Sequence, residues 1–196
     1  QPNYFGNMED GDVLGRIVHD AGAKYIMGCN PMALGIMKTP AGYGADIAVG
    51  DGQPLGMPLA FGGPYLGFMA ATAAMARKLP GRIVGETKDD KGERAFVLTL
   101  QAREQHIRRE KASSNVCSNQ AWCALTASVY MTAMGADGMA EAAAQCMSKA
   151  HYLRDVLKEA GLEPKHDRAF FHEFVTVSPE GRCTDSNHIL RALEEY

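Results

Sequence analysis

The strongest constraint on the fold is a helix followed by short apolar strands within the first 50 residues. An amphipathic helix is predicted over 11–21, where Leu14 and Ile17 fall on one helical face. Short apolar strands are predicted over 24–28 and 46–49. Because buried strands that alternate with helices are typical of a parallel sheet covered by helices, this pattern predicts an α/β fold.

The rest of the chain predicts further strands and two long helices. Gly135 is expected to separate two consecutive helices, since glycine commonly ends a helix. The linking helix over 136–160 is therefore expected to join two domains. The other predicted elements are a strand over 65–70, a hairpin formed by 82–85 and 95–100, a helix that Ser118 caps, and a strand over 170–177 that opens a new unit.

Composition excludes several classes of protein. The net charge is −3 and the pI is near 6.1, so nucleic acid is not a favoured partner. No apolar run approaches the roughly 20 residues that a membrane span needs. Five cysteines without a CxxC pair predict reduced thiols in a cytoplasmic protein, with no metal site.

The missing initiator methionine and a helical pattern at the C-terminus lead us to expect that both ends are cuts within a longer protein.

Two glycine-rich turns carry the densest functional signal. Both are expected just after strands, where α/β sheets bind ligands and where glycine lets a ligand approach the backbone. Their spacing matches neither GxGxxG nor GxxxxGK[ST], so a phosphate cradle and ordinary turns both remain open. The residues concerned are Gly50, Gly52, Gln53, Pro54, Gly62 and Gly63.

A charged segment follows the second strand of the hairpin. It could contact an acidic group or a partner, or it could be a solvated surface, because acidic residues partly neutralise it. His106 and His172 have no neighbouring nucleophile and no metal-ligand spacing, so neither is assigned acid–base chemistry. The candidate contact residues are Arg103, His106, Arg108, Arg109 and Lys111.

Longer stretches resemble a known family. Residues 1–6, 45–56, 61–67, 80–87 and 100–112 are similar to the P-proteins of the glycine cleavage system, in the subunit 1 type of their two-subunit bacterial form. The resemblance runs through most of the chain and is weakest after about residue 163. The 13-residue stretch at 100–112 is too long to match by chance.

The resemblance implies an α/β fold of the fold type I, PLP-dependent transferase-like kind, with a mixed or parallel sheet. Residues 1–135 would form the second half of the large domain, 136–160 the linking helix, and 161–196 the start of a small α+β C-terminal domain. The implied activity is glycine decarboxylation with pyridoxal phosphate, which the partner subunit would mainly bind. The implied partners are glycine dehydrogenase subunit 2 and the lipoyl-carrying H protein.

The resemblance also implies that this chain has lost the cofactor-binding lysine. The catalytic subunit carries a His-Lys pair a few residues beyond the strand that corresponds to 46–49, and its lysine forms the Schiff base. Gln53-Pro54 stands at that place here, so no catalytic residue is transferred. The glycine-rich turns would be ancestral pocket turns, and the charged segment would contact subunit 2 or line the lipoyl channel. The alternatives are a self-sufficient PLP enzyme with another lysine and a module that binds a different phosphate ligand.

Overall fold

The computed structural model describes residues 1–61, 65–100, 104–112 and 120–177, together with positions 187, 190, 191 and 194. In these ranges the α-helices are α1 (Gly11–Asp20), α2 (Gln105–Arg108) and α3 (Gln120–Glu159). The strands are β1 (Ile26–Gly28), β2 (Ile47–Asp51), β3 (Gly67–Ala71), β4 (Ile83–Lys88), β5 (Arg94–Thr99), β6 (Glu163–Pro164) and β7 (Thr176–Val177). Short 3-10 helices span Ala33–Gly35, Ala41–Tyr43, Ala73–Lys78 and Arg109–Lys111.

Helix α1 is confirmed, but its buried face is made of glycine. A side chain at Gly15 would place its Cβ 2.6 Å from the carbonyl oxygen of Tyr43, so the helix can pack there only without one. Leu14 and Ile17 are instead 41% and 59% exposed. The apolar face of α1 is therefore largely uncovered by the residues that the structure describes.

The central sheet has the order β1-β2-β3 and is mixed. β1 and β2 are parallel, whereas β3 runs antiparallel to β2. Tyr25, Met27 and Ala45 form a small core beneath α1. On the opposite face, Ile26 and Met69 are 57% and 47% exposed. The described helices therefore cover one face of this sheet much better than the other.

Helix α3 contains the predicted break. It spans 40 residues, and Gly135 interrupts it with φ +64° and ψ −178°. Gly35 packs against the second half, because a Cβ there would lie 2.8 Å from the carbonyl oxygen of Met139. The predicted cap, Ser118, lies outside the described residues. The division into domains at 1–135, 136–160 and 161–196 stays a prediction.

The strand predicted over 170–177 is wrong for most of its length. Only Thr176–Val177 forms a strand, which pairs with β6, and Phe170 makes an isolated antiparallel bridge to Asn7. Phe170 stacks on His151 with ring centroids 4.0 Å apart, and Phe171 packs into the cluster beside α3. These ring contacts and the cluster beside α3 hold the chain here, so it does not continue as a strand beyond the single bridge at Phe170.

The predicted hairpin is confirmed as β4 and β5, with Val84 opposite Leu98. Its apolar side chains Val84, Phe96 and Leu98 are 59%, 62% and 44% exposed.

Of the described helices, none is both long and apolar enough to span a membrane. Cys146 is exposed, whereas two other thiols, those of Cys29 and Cys123, are buried.

Candidate functional site

The Gln53-Pro54 turn is held by its own hydrogen bonds. The backbone N–H of Gln53 donates to Oδ1 of Asp51 at 2.7 Å, and its side-chain Nε2 donates to the carbonyl oxygen of Met57 at 2.7 Å. The N–H of Gly52 donates to the carbonyl oxygen of Leu66 at 2.6 Å. The Gln53 amide therefore stabilises the turn that follows β2.

The space beside the first glycines of this turn is filled by the chain itself. A Cβ at Gly50 would lie 2.3 Å from the carbonyl oxygen of Cys29 and 2.6 Å from the ring of Phe68. A Cβ at Gly52 would lie 3.0 Å from the side chain of Leu66. In a phosphate cradle that space would be left for the ligand, so packing accounts for both glycines. Gly62 and Gly63 lie outside the described residues.

The residues of this turn do not fit a covalently held pyridoxal phosphate. The cofactor needs a lysine amine for its Schiff base, and residues 50–61 contain no lysine. The nearest lysine on the N-terminal side, Lys38, forms an ion pair with Asp12 and sits 4.8 Å above the ring of Tyr43. Its ammonium group is thus engaged elsewhere.

The charged segment presents its cations to solvent. His106 and Arg108 lie on α2, Arg109 and Lys111 lie on the 3-10 turn that follows, and all four side chains are exposed. Arg103 lies outside the described residues. The structure therefore brings four of the five candidate contact residues onto one short exposed segment.

The backbone of this segment is strained at Arg109. Its φ is +54° and its ψ is −123°, a combination that residues with a Cβ rarely adopt. Such a conformation costs on the order of 1–3 kcal/mol, and strained residues cluster at functional sites. Arg109 follows α2 and begins the 3-10 turn. Its backbone conformation therefore sets the change of chain direction between Arg108 and Arg109.

Sequence reasoning missed Glu104, which precedes α2. Its carbonyl oxygen accepts hydrogen bonds from the N–H groups of Ile107 and Arg108 at 3.0 and 2.8 Å. Its side chain is only 7% exposed, and Oε1 has no hydrogen-bond partner among the described residues. Buried acceptors are normally satisfied, so an unpaired Oε1 is unusual. A glutamate within a run of charges carries no sequence signal for burial.

A second feature absent from the sequence reasoning is the network around Asp46, which immediately precedes β2. His19 Nε2 and Lys24 Nζ each donate to its carboxylate at 3.0 Å, and the backbone N–H of Tyr25 donates at 3.0 Å. The bonds from His19, then Lys24 and Tyr25, hold the pKa of the Asp46 carboxyl well below its usual range. The network ties α1 to the start of both parallel strands.

We expect Asp46→Asn to destabilise the protein at pH 7 and to have a smaller effect in acid. Because the pKa of Asp46 is lowered in the folded state, its contribution is present above the unfolded pKa of about 3.9 and is lost as the pH falls below it. Urea midpoints measured from pH 7 downward test this. Asp90→Asn, in the exposed turn of the hairpin, is the matched control. An Asp46→Asn effect of constant size across this pH range would contradict the assignment.

Comparison with solved structures identifies the fold. A crystal structure of glycine decarboxylase (P-protein) of the glycine cleavage system, in inhibitor-bound form, superposes with a TM-score of 0.93 at 45% sequence identity. The match covers 100% of this chain and 44% of that chain. It confirms the predicted α/β, PLP-dependent transferase-like fold.

Sequence comparison agrees. The chain is 56% identical over 174 residues to probable glycine dehydrogenase (decarboxylating) subunit 1 of Brevibacillus brevis, covering 89% of this chain and 39% of that protein. It is 55% identical over 193 residues to the protein of the same name from Carboxydothermus hydrogenoformans, covering 96% of this chain and 44% of that protein. The chain therefore spans about two fifths of the length of these relatives.

The family model described as glycine cleavage system P-protein matches residues 1–195. This match includes the Gln53-Pro54 turn, the charged segment and α3. The chain belongs to the glycine cleavage system P-protein family.

Proposed function

We propose that this chain is part of subunit 1 of a cytoplasmic, two-subunit glycine dehydrogenase (decarboxylating). Its partners would be glycine dehydrogenase subunit 2 and the lipoyl-carrying H protein. The names of the relatives, which specify a subunit 1, support a second subunit. The complex would remove the carboxyl group of glycine and pass the remaining aminomethyl group to the lipoyl arm of the H protein. Pyridoxal phosphate supplies the electron sink for such chemistry when it is bound.

The observation that carries this proposal is the chemistry of the Gln53-Pro54 turn. Neither residue has an amine, and the only side-chain amide is occupied by the carbonyl oxygen of Met57. The turn keeps its place after β2 but offers no nucleophile there. The subunit would therefore support the reaction by assembling with a catalytic partner that holds most of the cofactor.

The charged segment is the surface that we assign to this assembly or to the lipoyl channel. Its support is twofold: four exposed candidate contact residues on one short segment, and a strained backbone at Arg109. Arginine is enriched among the residues that dominate binding energy at protein interfaces.

The two alternatives have less support from the geometry. A self-sufficient enzyme would need a free lysine near the turn, and Lys38 is already paired with Asp12. A phosphate-binding module would need open space beside Gly50 and Gly52, which the Cys29 carbonyl group and Leu66 fill. Both alternatives nevertheless make different predictions in one experiment.

We expect borohydride reduction of the assembled complex with pyridoxal phosphate to label subunit 2 and to leave this subunit unlabelled. Reduction converts the lysine imine into a stable secondary amine, so peptide mass mapping locates the lysine concerned. Each subunit treated alone provides the control. A label on a lysine of this chain would establish the self-sufficient enzyme. Saturable binding of the phosphate cofactor by this subunit alone, without a reducible imine, would favour the phosphate-binding module.

A further inference from the structure

Residues 1–9 form a loop that is closed by its own polar side chains. The side-chain amide of Gln1 bonds the backbone of Glu9 twice: Nε2 donates to the carbonyl oxygen, and Oε1 accepts from the N–H at 3.0 Å. Oδ1 of Asn3 accepts from the N–H groups of Phe5 and Asn7 at 2.9 and 3.1 Å, as in an Asx-turn. Nδ2 of Asn3 donates to Oε1 of Glu9 at 2.5 Å. The 1–9 loop is therefore internally braced, with Asn3 at its centre.

The two ends of the 1–9 loop are fixed to the sheet and to α1. The N–H of Asn30, just beyond the carboxyl end of β1, donates to the carbonyl oxygen of Gln1 at 3.1 Å. Because β1 and β2 are parallel, this is also the edge at which the Gln53-Pro54 turn follows β2, and α/β sheets bind ligands at such edges. At its other end the loop leads into Asp10, whose side chain caps α1.

The middle of the loop holds the chain after α3, residues 163–177. Asn7 pairs with Phe170 in an antiparallel bridge and is only 6% exposed. The N–H of Met8 donates to the carbonyl oxygen of Ala169 at 2.8 Å. Backbone bonds therefore tie the loop to a segment more than 150 positions away in the sequence.

Two further contacts reinforce this attachment. Arg168 Nη1 donates to Oε2 of Glu9 at 3.3 Å, so the Glu9 carboxylate binds Asn3 with one oxygen and Arg168 with the other. Gly6, with φ +79°, packs so closely on Glu173 that a Cβ would overlap the carbonyl oxygen of that residue. The Glu9 carboxylate thus joins the brace inside the loop to the chain that the loop holds.

Helix α3 is a less rigid connection to the same segment. Gly135 breaks it, and a Cβ at Gly135 would have no neighbour within 4 Å among the described residues. Glycine also has more backbone freedom than any other residue. Contacts beside the helix are therefore needed to fix the orientation of residues 163–177. The candidates are the 1–9 loop and the cluster around Phe171.

We propose that the 1–9 loop is a clasp that fixes the orientation of residues 163–177 relative to the edge of the sheet that carries the Gln53-Pro54 turn. The bond between Asn3 and Glu9 is its closing contact. A displacement at this edge would reach the chain after α3 through the clasp, since contiguous hydrogen-bond networks carry coupling between distant parts of a protein. The clasp goes beyond the proposed function and does not depend on it.

Exchanging the donor and the acceptor of the closing contact tests the clasp in the full natural subunit. Asn3→Asp keeps the oxygen that Phe5 and Asn7 bond but sets two carboxylates against each other. Adding Glu9→Gln again places a donor opposite an acceptor. Hydrogen exchange is measured at the N–H of Met8 and at the N–H of Lys165, which donates to the carbonyl oxygen of Val175 at 2.7 Å within the chain after α3.

We expect Asn3→Asp to accelerate exchange at both N–H groups by about 10-fold or more, because it removes a hydrogen bond to a charged group. The double variant Asn3→Asp/Glu9→Gln should return both rates to those of the natural protein. Gln145→Glu is the matched control: Nε2 of Gln145 donates to Oε1 of Glu141 at 2.8 Å on the exposed side of α3, away from the loop. It should leave both rates unchanged.

Three results would overturn the proposal. Acceleration at Met8 without acceleration at Lys165 would assign the orientation of residues 163–177 to the cluster around Phe171. Failure of the double variant to restore the rates would show that the bond between Asn3 and Glu9 is not the closing contact. Equal acceleration at the N–H of Cys29, which β2 holds at 2.9 Å, would show that the loop opens only when the whole protein unfolds.

Discussion

The double substitution Arg108→Ala and Arg109→Ala should weaken association of the full subunit with subunit 2 by about 30-fold or more. That figure corresponds to the roughly 2 kcal/mol by which energetically dominant interface residues are defined. Both side chains are exposed here, so their loss removes no internal packing among the described residues. Arg109 also has a strained backbone conformation, and alanine at this position would have to adopt the same conformation. The folded subunit should therefore persist while its association with subunit 2 weakens.

Co-purification of the two subunits and glycine–bicarbonate exchange by the mixture measure this effect. Arg16→Ala is the matched control, because Arg16 is an exposed arginine on α1, outside the charged segment. It should leave both measurements unchanged. If the double variant assembles and exchanges like the unaltered protein, the charged segment is an ordinary solvated surface.

Phe171→Ala should lower the free energy of unfolding by about 3–5 kcal/mol, the usual cost of truncating a buried phenylalanine. Phe171 is 1% exposed and packs with Met32, Ala33 and Ala143. These residues belong to the segment after β1 and to α3. Truncation would therefore leave a cavity where the chain after α3 meets the large domain predicted over 1–135.

Urea unfolding of the full subunit, monitored by circular dichroism, provides the measurement. Tyr152→Ala removes a ring of similar size from a side chain that is 73% exposed on α3, and it should change stability by less than about 1 kcal/mol. Equal effects of the two substitutions would show that the cluster around Phe171 is not a core.

Local signals in the sequence predicted the elements well. The hairpin, the break at Gly135 and the start of α1 after Asp10 each depend on residues that are close together in the chain. The side-chain oxygen of Asp10 accepts from the N–H of Val13 at 3.0 Å, which is a purely local bond. Such features are decided before distant parts of the chain meet.

Tertiary packing decided what the sequence could not. Gly11 and Gly15, rather than Leu14 and Ile17, form the buried side of α1, because the nearby 3-10 turn leaves no room for side chains. The paired rings of Phe170 and His151 override the apolar run that predicted a strand. Each outcome depends on a neighbour distant in sequence, so local periodicity could not reveal it.

In the candidate site, too, local signals were predictable from the sequence and effects of tertiary packing were not. The Gln53-Pro54 turn was located from the sequence because a strand precedes it and because the resemblance supplied its register. The burial of Glu104 depends on how the surrounding chain folds over it, and its residue type alone predicts an exposed position. Its unsatisfied oxygen became visible only with coordinates.

The hairpin has a consequence for the order of folding. Its strands are joined by a short turn, in which Asp89 Oδ1 accepts from the N–H groups of Lys91 and Glu93 at 2.9 Å. The entropic cost of closing this loop is therefore small, and a hairpin of this kind forms within about 1–10 μs. The β1–β2 pair must first enclose the chain between Gly28 and Ile47. We expect the hairpin to form early, while Val84, Phe96 and Leu98 are still in contact with water. The β1–β2 pair would form later.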